Sequence, residues 1–148
     1  HDARELEKAV NAQYDDCDAL VMAAAVSDYR PAVRAENKIK KEQHDHLNIE
    51  LTENPDILYG LGQKKTHQFL VGFAAETRDV IEYGKAKLAK KNLNLLVAND
   101  VAQQGAGFNV STNIAALIYK DGHIEQYPKM TKDDLGHIII EKIVEGIN

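Results

Sequence analysis

Apolar positions along this chain switch repeatedly between helical and strand spacing. From Ala3 to about Tyr14, Leu6, Val10 and Tyr14 recur every four residues, one face of an amphipathic helix, and Asp2 with Glu5 three places on offers a capping pair for its start. Ala19 to Val26 reads ALVMAAAV; this continuous apolar run is too short for a typical helix and predicts a strand buried on both faces. Residues 27–45 are polar and charge-rich, contain Pro31, and predict a long loop of the kind that is usually functional or disordered. Leu47, Ile49 and Leu51 alternate with Asn48 and Glu50, the period of a half-buried strand, and Asn54-Pro55 then offers the N-cap and first position of a short helix. Phe69 to Ala75 reads as a second buried strand, Thr77 as the cap of a helix running to about Lys91, and Leu93 to Ala98 as a third strand. After a Gly-containing loop over 99–111, Ile114–Tyr119 and Ile124–Tyr127 flank Asp121-Gly122, a strong hairpin signal. Thr131 with Asp134 starts a last helix on which Leu135, Ile139, Ile143 and Ile147 lie four apart.

Two strand–helix–strand units with apolar central strands predict an α/β, Rossmann-like three-layer fold. Its central sheet is mainly parallel and doubly wound, closed by a C-terminal hairpin and helix. Ligands of such sheets bind beyond the carboxyl ends of the strands. The loops to read are therefore Ser27-Asp28-Tyr29-Arg30, Glu76-Thr77 and Asn99-Asp100, whose three acidic residues converge on one edge; the same residues also read as ordinary caps and loop positions.

With 148 residues and 44% hydrophobic composition, residues 1–148 read as one domain able to bury a core without disulfide or metal. A net charge of −5 argues against a nucleic-acid or membrane-surface partner, both of which call for positive excess. A phosphate site must then be a local basic cluster. A single cysteine, Cys17, excludes an internal disulfide and a Cys-based zinc site and fits a reducing compartment. Apolar runs stop well short of the ~18 residues of a membrane span and no signal-peptide pattern opens the sequence, so a cytoplasmic protein is expected.

The densest basic cluster is Lys38-Ile39-Lys40-Lys41, in the long loop. It is either solvated surface or a lysine arm able to fold over a polyphosphate. Lys87 and Lys91 are four apart; helical geometry puts both near Val80 and Gly84, on the apolar side, where a merely solvated lysine is misplaced unless it snorkels or answers the helix C-terminus. Gly60-Leu61-Gly62 opens like a dinucleotide fingerprint, but Lys65 takes the third glycine's place and no buried strand precedes it. No Walker-type phosphate loop occurs. His44 and His46 flank Asp45 without a partner cluster at ligand spacing. Cys17 sits between Asp16 and Asp18, whose charges raise a thiol pKa and blunt a nucleophile.

Five motifs in order carry a family resemblance: Met22-Ala23-Ala24-Ala25-Val26-Ser27-Asp28-Tyr29-Arg30-Pro31, Lys38-Ile39-Lys40-Lys41, Asn54-Pro55-Asp56-Ile57-Leu58, Val71-Gly72-Phe73-Ala74-Ala75-Glu76-Thr77, and Ala98-Asn99-Asp100-Val101 with Gly107-Phe108-Asn109. In order and spacing they resemble bacterial phosphopantothenoylcysteine synthetase across nearly the whole chain. The resemblance implies ligation of 4′-phosphopantothenate to L-cysteine with CTP and Mg²⁺. The substrate carboxylate attacks the α-phosphate, giving an acyl-cytidylate and pyrophosphate, and the cysteine amine displaces CMP. By matching position it implies Met22, Ala24, Ala25, Asp28, Lys38, Asn54, Pro55, Phe73, Lys87 and Lys91 as nucleotide-site residues. The resemblance further implies that Lys38 is the catalytic cation at the triphosphate, that Phe73 packs on the nucleotide, that Asp28 binds ribose or orders the metal, and that the Ala24-Ala25 backbone reads the base edge.

The family's domain begins with a glycine-rich turn after a first strand and an Asn-containing segment, and this sequence aligns after both. The resemblance therefore implies an N-terminally incomplete domain, expected not to complete turnover alone. It also implies association with or fusion to a flavin-dependent decarboxylase. The 47–51 strand offers an edge for pairing with a second copy, so a homodimer is expected. The competing readings are an ATP-using relative, an NAD-type Rossmann module disfavoured by the failed glycine fingerprint, and a non-catalytic nucleotide-binding or dimerisation fragment.

Overall fold

The computed structural model describes residues 2–37, 47–76, 79–100 and 112–148. The first helix, α1 (Ala3–Tyr14), opens with the expected capping box: the Asp2 carboxylate accepts from the Arg4 and Glu5 amides while the Glu5 side chain accepts from the Asp2 amide. Then follow β1 (Ala19–Met22), β2 (Tyr29–Pro31), β3 (Leu51–Glu53), α2 (Ile57–Lys64), β4 (Phe69–Glu76), α3 (Val80–Lys90), β5 (Leu95–Asp100), β6 (Thr112–Tyr119), β7 (Ile124–Thr131) and α4 (Lys132–Ile147).

Among the described residues the main sheet has the order β1-β4-β5-β6-β7. Strands β1, β4 and β5 run parallel, and β6 and β7 complete the sheet as an antiparallel hairpin. This is the α/β architecture the periodicity predicts. Strict alternation divides each central strand between two cores. Leu70, Ala74, Leu96 and Ala98 face α1, α2 and α3 with Tyr14, Leu61 and Leu88, whereas Phe69, Val71, Leu95, Val97 and Leu117 face α4 with Leu135, Ile139 and Ile143. The hairpin turns where Gly122 takes φ 91, a conformation that strains any side chain, and the Gly122 amide donates to the Tyr119 carbonyl at 3.0 Å. No helix among the described residues is long and apolar enough to cross a membrane.

Four expectations shift. The 19–26 run leaves the sheet after Met22, the partner of Gly72, and Ala23 to Ala25 are exposed rather than buried on two faces. The 47–51 alternation yields only a short strand, β3, which pairs antiparallel with β2 outside the main sheet. Its apolar side chains Leu47, Ile49 and Leu51 stay 64%, 59% and 56% exposed. Helix α2 starts two residues later than Asn54-Pro55, with Asp56 as its N-cap accepting from the Tyr59 amide. On α4, Leu135, Ile139 and Ile143 are buried but Ile147 is 48% exposed. Each four-residue step turns about 40° past a full helical turn, so three steps rotate Ile147 off the face. The Thr77 cap and most of the 99–111 loop lie outside the described residues; α3 begins at Val80, after Asp79.

Candidate functional site

At the carboxyl edge of the parallel strands a cleft of about 330 Å³ opens, lined by residues 22–28, Asn54 to Leu58, Phe73, Ala75, Lys91 and Asn99. Its position follows from register. Ala75 pairs with Asn99 near the ends of β4 and β5, while β1 ends three positions earlier along β4, at Met22 against Gly72. The shortened strand leaves a step in the sheet. Because the ladder ends at Met22, the backbone of Ala24 and Ala25 is released from the sheet and lines the cleft wall.

Asn54 ties that wall together. Its side-chain amide donates to the Ser27 carbonyl at 2.8 Å, its Oδ1 accepts from Arg30 Nη1 at 3.1 Å, and its backbone amide donates to the Asp28 carbonyl at 2.7 Å. Arg30 also donates to the Glu53 carbonyl. The β2–β3 ribbon makes this reach possible: Arg30 pairs with Thr52 on its half-buried face, while Tyr29, Pro31, Leu51 and Glu53 share the exposed face. Asn54 is thus a bracket between the Ser27-Asp28 loop and the start of the 54–58 segment, and Asp28 is held at the cleft by its own backbone.

Lys91 enters the cleft from the far end of α3. It is the C-cap of that helix, and a Cβ on Gly62 would collide with the Lys91 carbonyl oxygen. Gly62 therefore lets α2 and the end of α3 pack backbone to backbone. Around this corner the Asn92 side chain donates to the Gly62 carbonyl at 2.9 Å, and Lys65 Nζ donates to the Asn92 carbonyl at 2.6 Å and to Asn94 Oδ1 at 2.8 Å. Burial, with Lys120 nearby, pushes the Lys65 ammonium below the usual lysine range. The Lys91 side chain is 24% exposed, and its ammonium lies 3.0 Å from Asp56 Oδ1.

Of the residues singled out from the sequence, Met22, Ala24, Ala25, Asp28, Asn54, Pro55, Phe73 and Lys91 line this one cleft. Lys87 is exposed on α3 and is not among the lining residues. Its neighbour Gly84 faces the sheet as expected, since a Cβ there would collide with Ile118. Lys38, the rest of the basic cluster and His44-Asp45-His46 lie outside the described residues, as do the side chains of Glu76 and Asp100, whose backbones pair at the ends of β4 and β5. Among the described residues no group of three His, Cys, Asp or Glu side chains gathers to hold a metal. Cys17 is half-buried; burial first, and then the Asp18 charge, push its thiol up, and its Sγ donates to the Tyr14 carbonyl at 3.2 Å. This agrees with a packing role. No local pattern marks Asp56 or Arg30, because their partners are 35 and 24 positions away and neither spacing is a helical or strand period.

Over residues 1–147 the chain matches the protein family described as DNA/pantothenate metabolism flavoprotein C-terminal domain. It is 45% identical over 141 residues to the coenzyme A biosynthesis bifunctional protein CoaBC of Bacillus subtilis, covering 95% of this chain and 34% of that protein. It is 43% identical over 145 residues to the protein of the same name from Escherichia coli strain K12, covering 96% of this chain and 36% of that one. The chain thus spans about a third of the length of these curated relatives. Among solved structures, the C-terminal domain of a CoaBC protein superposes with a TM-score of 0.76 at 36% identity, over 95% of this chain and 60% of that one. The DNA/pantothenate metabolism flavoprotein of Streptococcus pneumoniae shares the fold, with a TM-score of 0.75 at 20% identity over 99% of this chain and 69% of that one.

Proposed function

This chain belongs to the family of DNA/pantothenate metabolism flavoprotein C-terminal domains, and from that premise we propose that it carries the nucleotide site of the ligase that joins 4′-phosphopantothenate to L-cysteine in coenzyme A biosynthesis. The observation that carries the reading is the cleft itself. Segments separated by tens of residues, at 22–28, 54–58, 73–75 and 91, line one concave surface at the carboxyl edge of the sheet, where open α/β sheets bind ligands.

The reaction proposed is the two-step transfer. The carboxylate of 4′-phosphopantothenate attacks the α-phosphate of CTP, its oxygen forming the P–O bond as the bond to pyrophosphate breaks. The cysteine amine then attacks the acyl carbon and CMP leaves. Negative charge concentrates on phosphate oxygens in the first step, so cations fixed beforehand lower its barrier. Lys91 supplies one from within the cleft, the resemblance assigns Lys38 to the triphosphate, and it carries Lys87 over as a further nucleotide-site residue. Phe73, packed against the α4-side core and lining the cleft, offers an apolar surface for the nucleotide. The backbone of Ala24 and Ala25, beyond the end of the β1–β4 ladder, offers donors and acceptors to the base edge.

The donor set suits Mg²⁺. Asp28 lines the cleft, and Mg²⁺ is typically held by one or two carboxylates together with substrate phosphates. With Asp28 holding it, the ion would neutralise phosphate charge. We assign two further partners: a flavin-dependent decarboxylase as the companion activity, supported by the bifunctional relatives, and a second copy of this chain, supported by the exposed apolar face of the β2–β3 ribbon. The test is pyrophosphate release from CTP by the intact protein with 4′-phosphopantothenate, with and without cysteine. Pyrophosphate should form without cysteine, and CMP only with it. Lys38→Gln should abolish pyrophosphate release and leave the melting temperature unchanged; an unchanged rate would overturn the assignment of Lys38.

A further inference from the structure

Lys91 is already engaged at the cleft. Its ammonium lies 3.0 Å from Asp56 Oδ1, and that same oxygen accepts the Tyr59 amide at 3.1 Å as the N-cap of α2. Asp56 is thus fixed by the helix start, and Lys91 is fixed by the Gly62 contact at the other end of the same helix. Both groups line the cleft.

We propose that Asp56 is an internal competitor for the phosphate-bearing ligand: it holds Lys91 while the cleft is empty, and the ligand's anionic group displaces it. The inference rests on the assignment of Lys91 to the nucleotide's phosphates. Two physical consequences follow. A ligand that recruits Lys91 must break the ion pair and then sits beside an uncompensated carboxylate, so its affinity is lower than the cations alone would give. A ligand without phosphate leaves the pair intact and incurs neither cost. The pair is partly solvated, with Lys91 and Asp56 side chains 24% and 44% exposed, which limits the effect to a few-fold in affinity.

Asparagine caps helices as well as aspartate does, so Asp56→Asn removes the charge and keeps the Tyr59 bond. Calorimetric titration of CTP and of cytidine into the intact protein, with Asp56→Asn, Lys91→Gln and the double variant, tests the proposal. Asp56→Asn should bind CTP about fivefold more tightly, with the gain shrinking as salt rises, and cytidine should bind unchanged. In the Lys91→Gln background, which itself weakens CTP binding, Asp56→Asn should give a smaller gain, since no pair remains to break. If Asp56→Asn weakens CTP or leaves it unchanged while Lys91→Gln still weakens it, the competitor role falls and the phosphate role of Lys91 stands. If Lys91→Gln binds CTP like the parent, or the parent binds none, both fall together.

Discussion

Asn54 shows how a residue can belong to a site without facing its ligand. The family resemblance assigns it to the nucleotide site, and it does line the cleft, yet its side-chain amide is engaged by the Ser27 carbonyl and by Arg30. Replacing it with alanine removes two bonds, one of them charged, at an expected cost of about 2 kcal/mol. It should also loosen the loop that holds Asp28. Asn54→Ala should therefore lower the melting temperature and raise the KM for CTP, and Arg30→Met should shift KM the same way while leaving the Asn54 bond to Ser27. A KM unchanged in both variants would refute the bracket. The lysine pair shows what sequence alone could and could not supply. Spacing put Lys87 and Lys91 on one helical face, but α3 ends at Lys90 and Lys91 has C-cap geometry, φ −95 and ψ 6. A helical projection no longer governs its direction there. The Gly62 contact, which no local pattern encodes, does.

Among the elements, those whose periodicity is strong were legible, and those whose ends depend on distant partners were not. The central strands, the capping box of α1 and the Gly122 turn follow from local chemistry. Where β1 stops, where α2 starts and how little of the 47–51 alternation becomes strand depend on pairing across the fold, and these differences shape the cleft. Gly62→Ala is the sharpest test of that packing. Its methyl group would collide with the Lys91 backbone, so the ends of α2 and α3 should separate. Stability should fall by about 1–3 kcal/mol, the usual cost of overpacking, and CTP affinity should fall with it; a variant as stable as the parent would contradict the close approach. At the opposite end of the sheet, Tyr127 donates to Glu125 at 2.5 Å and Lys142 lies 3.5 Å from it. That hydrogen bond, aided by the Lys142 charge, holds the Glu125 carboxyl below the ordinary range. The carboxylate's contribution is present above its unfolded pKa and is lost as pH falls through the depressed folded value. Glu125→Gln should therefore flatten the loss of stability on acidification below about pH 4.5. An acid limb as steep as the parent's in denaturant melts would remove Glu125 from it.

Seen whole, the molecule is acidic, with net charge −5, and the described residues leave large apolar side chains exposed on α4, at Ile140 and Val144, and at and beside the β2–β3 ribbon. Tyr29 and Leu51 of the ribbon, and Val33, Leu47 and Ile49 near it in the chain, are all more than half exposed, and sequence alternation alone would have buried three of them. The physical resolution proposed is a second copy covering that face. Sedimentation of the intact protein should give a dimer, and Ile49→Arg a monomer; a parent that sediments as a monomer at micromolar concentration would contradict it. The same ribbon carries Arg30 on its half-buried face, so if a second copy covers the exposed face, Ile49→Arg should also weaken CTP binding. The central claim is that the cleft at the carboxyl edge of the sheet is a CTP site. Calorimetric titration of CTP, ATP and NAD into the intact protein with Mg²⁺ tests it most directly. The expected result is saturable binding of CTP that Lys91→Gln weakens and that neither ATP nor NAD displaces at equal concentration. Absence of CTP binding, or displacement of CTP by NAD, would contradict it.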